Sequence, residues 1–436
     1  MSLARNRDRL AELFYAAINA VRGDRLIAER SRLEGGVWTY RDGGRTVRFD
    51  LPDDGRVIVI GAGKAAASLA LGLQQVLGER IDGGCVIVKY GHGEDLDRIQ
   101  VLEAGHPVPD AAGVAATRRL LGTVEGLGPN DRVFLLLTGG ASALLVAPAD
   151  GLTLEDKAAT TEFLLRCGAS IQEINTVRRH ISKVKGGRLL DQIGEARLIT
   201  LSISDIPDGD KRLIGSGPSS PDELTPSACV TILQRYGGLE QVPPAVIACP
   251  SEGGSTRAAE RTSPEHIVLA DIDTALDAMT ARAEALGYEV VVLDRRMAGD
   301  THAAARQFGA AMRERAAAGG GRPTVFLAGG ETTLVVTGSG QGGRNQEFSL
   351  VIAEELEGVD NVAALAAGTD GTDGPTTAAG GFVDGSTVQR AESKGCRIHE
   401  FVVRNDSYNF LDSINDVFVT GSTGTNVMDV VIGIAD

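Results

Sequence analysis

The chain has little of several features that would narrow its function at once. Only five of its 436 residues are cysteines, they lie far apart, and no two form a CxxC pair. This pattern suggests neither a disulfide framework nor a zinc site, and it favours a reducing compartment such as the cytoplasm. No apolar run reaches the ~18 residues that a membrane-spanning helix needs. We therefore expect a cytoplasmic protein without a membrane partner.

Positive charge is also in short supply. Lys and Arg total 43 against 58 Asp and Glu, which gives a net charge of −15. A surface this acidic repels a phosphate backbone, so nucleic-acid binding is disfavoured. A small anionic metabolite is still a candidate partner, because a single pocket can be locally positive. Global disorder is excluded, since 43% of the residues are hydrophobic and can form a large core.

Glycine, in contrast, is abundant. The chain contains 56 glycines in 436 residues, about twice the usual ~7%. They follow no fixed period, so a fibrous protein is excluded. Glycine permits backbone conformations with positive φ and close approach of a ligand to the main chain. This composition favours an α/β enzyme that handles nucleotides or phosphates.

Short apolar runs alternate with amphipathic helical segments along most of the chain. Continuous apolar runs, predicted to be strands, occupy residues 57–60, 85–88, 133–137 and 198–201. Runs of this kind are typical of parallel strands that helices cover on both faces. Helical segments at 64–77, 154–167 and 177–190 lie between or beside them. The alternation predicts βαβ units and a Rossmann-like, doubly wound sheet.

A segment rich in Gly, Pro and Ser at 237–263 interrupts this alternation and is typical of a linker. We therefore predict a Rossmann-like N-terminal domain at 1–240, a linker at 241–264, and a smaller α/β C-terminal domain at 265–436. An amphipathic helix should open the first domain, since apolar residues recur at helical spacing from Leu10 to Val21. Strands are predicted in the second part at 267–270, 290–293, 325–327, 334–336, 362–365 and 417–419. A cleft between two such domains is a usual place for an active site.

The first glycine loop follows the strand at 57–60. Its residues 61–66, Gly-Ala-Gly-Lys-Ala-Ala, fit the G-x-G-x-x-A fingerprint that places a helix N-terminus against a pyrophosphate. A dinucleotide site also needs an acid at the end of the second strand, and Lys89 stands there instead. Lys64 would lie at a helix N-terminus, where the helix dipole disfavours a cation. An anionic ligand beside Lys64 would compensate for this.

Two further loops have the residue types of anion sites. Thr138-Gly139-Gly140-Ala141-Ser142 offers backbone N–H groups and hydroxyls for a phosphate or carboxylate. Arg344 begins a predicted helix directly after two glycines, which is typical of an anion clamp. The residues predicted to bind the nucleotide are Gly61, Gly63, Gly139, Gly140, Ser142, Gly330, Glu331 and Asn345.

Acidic loops after predicted strands suggest a Mg²⁺ site, because Mg²⁺ takes one or two carboxylates together with phosphate oxygens. Asp205 follows the strand at 198–201, and Asp370 and Asp373 lie in a Gly-Thr-Asp-Gly-Thr-Asp-Gly segment at 368–374. These three are the candidate metal ligands. Asp208 and Asp210 are more typical of solvated turn residues.

Histidine and basic residues supply fewer firm candidates. His106 follows a strand and is either a site residue or a side chain that fixes its turn. Arg178, Arg179 and His180, with Lys183 and Lys185, are predicted to share one basic helix. That helix is either an attractive surface for phosphate or a plain solvated face. Serine-hydrolase elbows, zinc-protease motifs, Walker A loops and protein-kinase motifs are missing from the sequence.

Taken in order, these motifs resemble a known family from near residue 5 to the C-terminus. They are 61–65, 105–107, 138–145, 177–180 with 185–189, 216–218, 343–347, 368–374 and 424–427. The set resembles the glycerate 2-kinase family with a C-terminal MOFRL domain. Members of that family are also named hydroxypyruvate reductases of tartrate utilisation.

The resemblance implies an enzyme that phosphorylates D-glycerate at its 2-hydroxyl with ATP and Mg²⁺, giving 2-phosphoglycerate. In that family the residues matching Lys64 and Arg344 face each other across the interdomain cleft, which we expect to close on its ligands. We assign these two to the transferred phosphate and the glycerate carboxylate, in either order. Asp205 or Asp370 would hold Mg²⁺ or accept the hydroxyl proton.

Two other functions remain open from the sequence. The first loop also suits an NAD(P)H-dependent hydroxypyruvate reductase, although the ribose-binding acid is missing. A non-enzymatic protein whose domains close on a small anion is the third hypothesis. A homodimer is compatible with the sequence, which does not fix the oligomeric state.

Overall fold

A computed structural model describes residues 3–207, 210, 212–220, 226–249, 264–319 and 321–436. The chain forms two compact units. One contains Gly23–Leu269, and we call it the inserted unit because it lies within the sequence of the other. The second contains the residues up to Arg22 together with Ala270–Asp436, and we call it the terminal unit. In the described ranges no helix is long and apolar enough to cross a membrane.

The helices have the following bounds in chain order: α1 Leu3–Val21, α2 Gly23–Arg30, α3 Ala66–Leu77, α4 Ala111–Val124, α5 Ala141–Leu144, α6 Leu154–Arg166, α7 Ile171–His180, α8 Arg188–Ile193, α9 Pro226–Arg235, α10 Pro244–Ala248, α11 Ile272–Ala285, α12 Thr301–Ala318, α13 Arg344–Glu355, α14 Thr387–Glu392, α15 Ile398–Val403 and α16 Ser407–Ser413. Short 3₁₀ turns occur at Gly78–Arg80, Ile214–Ser216 and Gly238–Glu240.

The strands have these bounds: β1 Ser31–Glu34, β2 Val37–Asp42, β3 Arg45–Asp50, β4 Val57–Ala62, β5 Gly83–Lys89, β6 Gln100–Ala104, β7 Arg132–Leu137, β8 Arg197–Ile203, β9 Glu265–Ala270, β10 Glu289–Met297, β11 Thr324–Gly330, β12 Val362–Gly368, β13 Gly380–Asp384, β14 Val417–Phe418 and β15 Asp429–Ala435.

The main sheet of the inserted unit has the strand order β6-β5-β4-β7-β8-β9. Strands β4 to β8 pair in parallel, and every residue of β4 and β7 is buried. Numbered within this sheet, the order is 3-2-1-4-5-6, which is that of a Rossmann fold. The predicted doubly wound α/β class is therefore confirmed. The order reverses between β4 and β7, the place where such sheets bind ligands.

A small antiparallel sheet of β1, β2 and β3 was not predicted. Its fully buried Trp38 and its Phe49 both pack edge-on against Phe134 of β7, with ring centroids 5.3 Å apart in each pair. The sheet therefore covers one face of the central strand. The short alternating pattern of β2 and β3 is too brief to distinguish from loop by periodicity alone.

A separate apolar cluster joins α6, α7, α9 and α10, which we call the four-helix cluster. Its buried members include Phe163, Leu164, Val177, Leu233 and Val246. The basic segment predicted as one helix at 177–190 is divided here. Helix α7 ends at His180 and α8 begins at Arg188, because Gly186 and Gly187 adopt positive φ between them. Lys183 and Lys185 therefore lie in a loop and not on a solvated helix face.

The sheet of the terminal unit has the order β10-β11-β15-β12-β13-β14. The last strand, β15, lies antiparallel between β11 and β12. Its first residue, Asp429, is paired with Gly330 at the end of β11 and with Gly368 at the end of β12. This register brings the loops that follow β11 and β12 to the start of β15.

The first helix belongs to the terminal unit, whereas the sequence suggested a place in an N-terminal domain at 1–240. The ring of Phe14 meets Phe418 edge-on at 5.1 Å, and Thr425 Oγ1 donates to the backbone oxygen of Val21 at 2.7 Å. The apolar face of α1 predicts burial but carries no information about the partner. This is why the expected boundary and the structural division differ.

The second boundary also lies elsewhere. Strand β9 belongs to the inserted unit's sheet, so the division falls at Leu269 and not in the predicted linker at 241–264. Residues 244–248 of that linker form α10, and 250–263 lie outside the described residues. The strand predicted at 334–336 is wrong. Those residues are described but form no strand, and Val335 and Val336 are two thirds exposed.

Candidate active site

The loops after β4 and β7 meet at the point where the strand order reverses. The backbone N–H of Lys64 donates to Gly139 O at 2.8 Å, and the N–H of Ala65 donates to Thr138 Oγ1 at 3.0 Å. The two loops predicted as anion sites are thus joined directly. We call Lys64, His106, Gly139, Gly140 and Ser142 the switch-point site.

Gly63 and Gly140 are the glycines that this junction requires. Gly63 has a φ of 133°, and a methyl group on it would lie 2.1 Å from Thr138 Oγ1. Gly140 has a φ of 86°, and a methyl group there would lie 2.9 Å from His106 Cδ2 and 3.4 Å from Lys64 Cγ. The clash shows how closely His106 and Lys64 approach Gly140. His106, which the sequence left undecided, therefore lies beside the predicted anion loops.

The backbone donors of the first loop are already engaged within the protein. The N–H of Gly63 donates to Ile87 O at 3.0 Å, and that of Ala66 to Gly63 O at 3.2 Å. Gly61 lies inside β4, paired with Val86 and Leu136, and not in the loop. Together with the bonds of Lys64 and Ala65, this leaves no run of N–H groups to surround a pyrophosphate. The loop presents the Lys64 side chain and not a backbone nest.

Ser142 connects the switch-point site to a buried lysine. Lys185 Nζ donates to Ser142 O at 2.6 Å and to Ser142 Oγ at 3.0 Å. Ser142 Oγ also shares a hydrogen bond of 2.8 Å with Ser216 Oγ. The backbone continues the connection, because the N–H of Gly186 donates to Ser216 O at 3.2 Å. Lys185 is only 2% exposed.

Lys185 has two cationic neighbours. Burial, reinforced by the charges of Arg178 and Lys157, lowers the pKa of Lys185 well below its ordinary value. Burial, together mainly with the charge of Arg178, lowers the pKa of Lys157 to about 7. Lys157 Nζ donates to the backbone oxygen of Ile181 at 2.8 Å. We call Lys157, Arg178 and Lys185 the buried cation cluster, in which Lys185 is the most deeply buried and the other two are half-buried.

The predicted acids of the inserted unit have different surroundings. Asp205 is half-buried and lies two residues beyond the end of β8, on the same sheet edge as the switch-point site. Asp210 is bound by the guanidinium of its neighbour Arg212, with Nη2 to Oδ2 at 2.9 Å. Asp208 lies outside the described residues. Asp205 thus keeps its place as the candidate ligand of this loop.

In the terminal unit, Arg344 lies between two carboxylates. Its Nε and Nη2 donate to Asp429 at 2.5 and 3.1 Å, and its Nη1 lies 2.6 Å from Glu331 Oε1. Burial alone would lower the pKa of Arg344, but Asp429 and then Glu331 outweigh it and raise the pKa. A guanidinium has five N–H groups, so three are used here. We call Arg344, Glu331, Asp370 and Asp429 the Arg344 site.

Asp370 reaches the same region from the end of β12. A methyl group on Gly368 would lie 3.3 Å from Asp370 Oδ1 and 3.6 Å from Asp429 Oδ1, so both carboxylates approach one backbone position. Asp370 Oδ1 accepts from the N–H of Thr372 at 2.9 Å. Asp370 itself is buried, with 5% exposure. The register around Asp429 therefore gathers Glu331, Arg344 and Asp370.

Asp373 and Asn345, both predicted as ligand-binding residues, contact each other. Asp373 Oδ1 accepts from the N–H and Nδ2 of Asn345 at 3.1 and 3.3 Å. Its Oδ2 accepts from the N–H and Nε2 of Gln346 at 2.8 and 2.9 Å. Burial raises the pKa of Asp373 to about 6. These contacts are those of a carboxylate that caps the N-terminus of α13.

Two participants were missed from the sequence. Asp429 was overlooked because β15 was not predicted, although the apolar run Val-Val-Ile-Gly-Ile at 430–434 follows it directly. Ser216 appeared only as part of a glycine-rich motif. Its contact with Ser142 joins segments 74 residues apart, which no local pattern reveals. Within the described part of the chain, no group of three or more His, Cys, Asp or Glu is arranged to hold a metal ion.

The strand order and the loops at its reversal define a doubly wound α/β protein with a candidate ligand site at its strand ends. Two family models match the sequence: a domain of unknown function, DUF4147, over residues 9–250, and the MOFRL family over residues 324–429. The chain belongs to the glycerate kinase family that combines these two domains. The resemblance seen in the sequence is thereby confirmed.

Three relatives illustrate the match. A D-glycerate 2-kinase from Thermotoga maritima is 38% identical, over 89% of this chain and 94% of that protein. The crystal structure of a glycerate kinase from Thermotoga maritima superposes with a TM-score of 0.82 at 36% identity, covering 99% of this chain and 100% of the other. A protein from Agrobacterium vitis with the provisional name hydroxypyruvate reductase is 40% identical, over 86% of this chain and 98% of its own.

Proposed function

We propose that this protein transfers the γ-phosphoryl group of ATP to the 2-hydroxyl of D-glycerate, giving 2-phosphoglycerate and ADP. The observation that carries the proposal is the position of Lys64, beside Gly139, Gly140 and His106 at the reversal of a Rossmann-type strand order. The names of the relatives supply the substrate. Ligands of such sheets bind at this edge, and an anion there suits the lysine.

The protein's part in phosphoryl transfer is mainly to position groups and to stabilise charge. Lys64 would place its ammonium on a phosphate oxygen or on the glycerate carboxylate. Ser142 would contribute its hydroxyl, held in place by Lys185 and Ser216. His106 packs against Gly140 and would limit the space available beside Lys64.

The Arg344 site would contribute an oriented cation. Asp429 holds the guanidinium through two N–H groups and Glu331 takes a third, which leaves two of its five N–H groups for an anion. A guanidinium fixed in this way binds a carboxylate or phosphate oxygen without losing side-chain freedom at the moment of binding. We assign Arg344 to whichever anion Lys64 does not take.

The oxygen donors fit Mg²⁺, which prefers carboxylates and commonly binds through one or two of them with substrate phosphates. Asp370, buried beside Asp429, and Asp205, at the end of β8, are the candidate ligands. The ion would neutralise charge on the phosphates during transfer. Whichever of the two does not hold Mg²⁺ is the candidate acceptor of the glycerate hydroxyl proton. Asp373 is engaged by four N–H donors and is therefore assigned to capping.

The reductase alternative is supported less well by the loop after β4. A nicotinamide dinucleotide needs backbone N–H groups for its pyrophosphate and an acid at the end of the second strand for its ribose. The N–H groups of Gly63, Lys64 and Ala65 are bonded within the protein. The second strand, β5, ends at Lys89. Neither requirement is met.

A direct test incubates the purified protein with D-glycerate and Mg-ATP and follows ADP release, with phosphorus NMR to identify the product. We expect ADP release that depends on both substrates and a single product phosphorylated at carbon 2. A parallel assay follows NADH or NADPH absorbance with hydroxypyruvate, where no turnover is expected. Nicotinamide oxidation without glycerate-dependent ADP release would overturn the proposal.

A further inference from the structure

The buried cation cluster has no evident function as a structural element. Lys157 and Lys185 donate to the backbone oxygens of Ile181 and Ser142, and Lys185 also to the Ser142 hydroxyl. All of these acceptors are uncharged. Arg178, in the last turn of α7, is half-buried beside them. Among the described residues, none of the three cations is within 4 Å of a carboxylate.

This arrangement is unfavourable in the protein alone. A buried cation loses its hydration, and uncharged acceptors replace only part of it. Loss of hydration first, and then repulsion from the neighbouring cations, lowers the pKa of Lys157 and of Lys185. Perturbed groups gathered in this way are typical of functional sites. A bound anion would offset both the lost hydration of the cations and the repulsion among them.

A solvated basic surface does not explain the cluster. Lys185 is 2% exposed, and the segment from Lys183 to Gly187 is a loop and not the outer face of a helix. The more exposed cation nearby, Lys183, whose side chain is 41% exposed, is paired with Asp150. Among the described residues, the more exposed lysine here is thus paired with a carboxylate, whereas the buried one is not.

The cluster continues directly from the switch-point site. Lys185 contacts Ser142, which lies two residues beyond Gly140, and Gly140 is packed against Lys64 and His106. A ligand with several negative charges in a row could contact Lys64 at one end and the cluster at the other. Glycerate carries a single negative charge, which is too little to balance three cations. A chain of phosphates has sufficient charge and length.

We propose that Lys157, Arg178 and Lys185 bind the polyphosphate chain of the nucleotide. The identity of that ligand as a nucleotide rests on the proposed kinase function, whereas the affinity of the cluster for a polyphosphate does not. Lys185 and Ser142 link this subsite to the switch-point site. Lys64 is then left to act at the transferred phosphoryl group or at glycerate.

The first test uses inorganic tripolyphosphate, without metal or glycerate, in calorimetry and thermal unfolding. We expect binding to the unmodified protein and a dissociation constant about 10- to 100-fold higher for Arg178→Gln, as for the loss of one charge-assisted hydrogen bond. Arg178→Lys should retain most of the affinity. Arg166→Gln, at an exposed arginine ending α6, is the matched control and should bind as the unmodified protein does.

The ligand-free proteins supply a second readout that a purely structural role would not give. If Arg178 serves to bind a ligand, Arg178→Gln removes its repulsion with Lys157 and Lys185 and raises the unfolding temperature of the ligand-free protein. If Arg178 only supports the fold, the same substitution lowers it. Lys157→Met provides an independent variant of the cluster, with the same expected direction for stability and for tripolyphosphate affinity.

Steady-state kinetics then tests which of the two substrates the subsite binds. Arg178→Gln should raise KM for ATP and leave KM for D-glycerate unchanged. Tripolyphosphate that fails to bind the unmodified protein, or that binds Arg178→Gln equally well, would overturn the subsite. If the protein binds tripolyphosphate through Arg178 but does not phosphorylate glycerate, the proposed kinase function is wrong and the proposed polyphosphate subsite is supported.

Discussion

The inserted and terminal units differ in how they balance the charge of the cations near their candidate sites. In the terminal unit, Arg344 is held by Asp429 and Glu331, and a third carboxylate, Asp370, lies near. In the inserted unit, Lys157 and Lys185 have only uncharged acceptors. Among the described residues, Arg344 is thus balanced by carboxylates within the fold, whereas Lys157 and Lys185 have no carboxylate partner.

The net charge of −15 does not show how the individual cations are balanced. A balanced cation adds to the stability of the fold and is fixed in orientation, whereas an unbalanced one costs stability and adds to ligand affinity. The overall acidity therefore says little about either site. The same substitution, neutralising one charged residue, should have opposite effects on stability in the two units.

The largest expected effect is on catalysis. Lys64→Ala should lower kcat by about 10²- to 10³-fold, the usual result of removing one group that stabilises transition-state charge. The fold should stay intact, because the loop is held by backbone bonds of Gly63, Lys64 and Ala65. Kinetics and thermal unfolding of the purified variant test this, with Lys183→Ala, an exposed lysine paired with Asp150, as control. Near-normal activity of Lys64→Ala would show that Lys64 does not act in catalysis.

The next effect concerns the balanced cation of the terminal unit. Asp429→Asn should lower the free energy of unfolding by about 3 kcal/mol, because it leaves Arg344 without its most buried partner. The side chain of Asp429 is 2% exposed, whereas that of Glu331 is 46% exposed. Glu331→Gln should therefore cost less than about 1 kcal/mol. If chemical denaturation shows that both variants lose the same free energy of unfolding, the burial of Asp429 does not make it a stronger partner of Arg344 than Glu331.

The smallest effect is a pH dependence in the inserted unit. The pKa of Lys157 is lowered to about 7 in the folded protein, so between pH 7 and its ordinary value the unfolded chain binds more protons. Stability from this group therefore rises with pH across that window. The unmodified protein should gain about 1 kcal/mol over Lys157→Met between pH 7 and 8. If the difference in unfolding free energy between the two proteins is the same at both pH values, Lys157 does not have the lowered pKa on which this prediction rests.

Much of the first site could be predicted from local pattern. The strands before Lys64 and Gly139 are continuous apolar runs, and parallel strands end at one sheet edge, so the two loops could be expected to meet. The Arg344 site could not be predicted in the same way. Its organising residue, Asp429, acts through strand pairing with Gly330 and Gly368, which depends on a register that no local pattern encodes.

Charge patterns were the least reliable guide. Arg344 at a helix start has the pattern of a free anion clamp, but distant carboxylates already hold it. Asp373 has the pattern of a metal ligand, but it caps α13 through Asn345 and Gln346. Lys185 was predicted on a helix face and is buried in a loop. In each case the deciding partner is a tertiary contact, which sequence spacing does not show.

The packing of α1 in the terminal unit has a consequence for biosynthesis. Along this chain α1 is synthesised before the inserted unit, whereas some partners of its apolar face, such as Phe418 and the segment at Thr425, follow more than 390 residues later. Pairing over such a separation is slow to form. The inserted unit can fold in the meantime, since domains fold as units during synthesis. Until the terminal unit is made, the apolar face of α1 lacks its partners there, and a chain stalled near Leu269, before α11 at Ile272–Ala285, would present this face to chaperones or to other nascent chains.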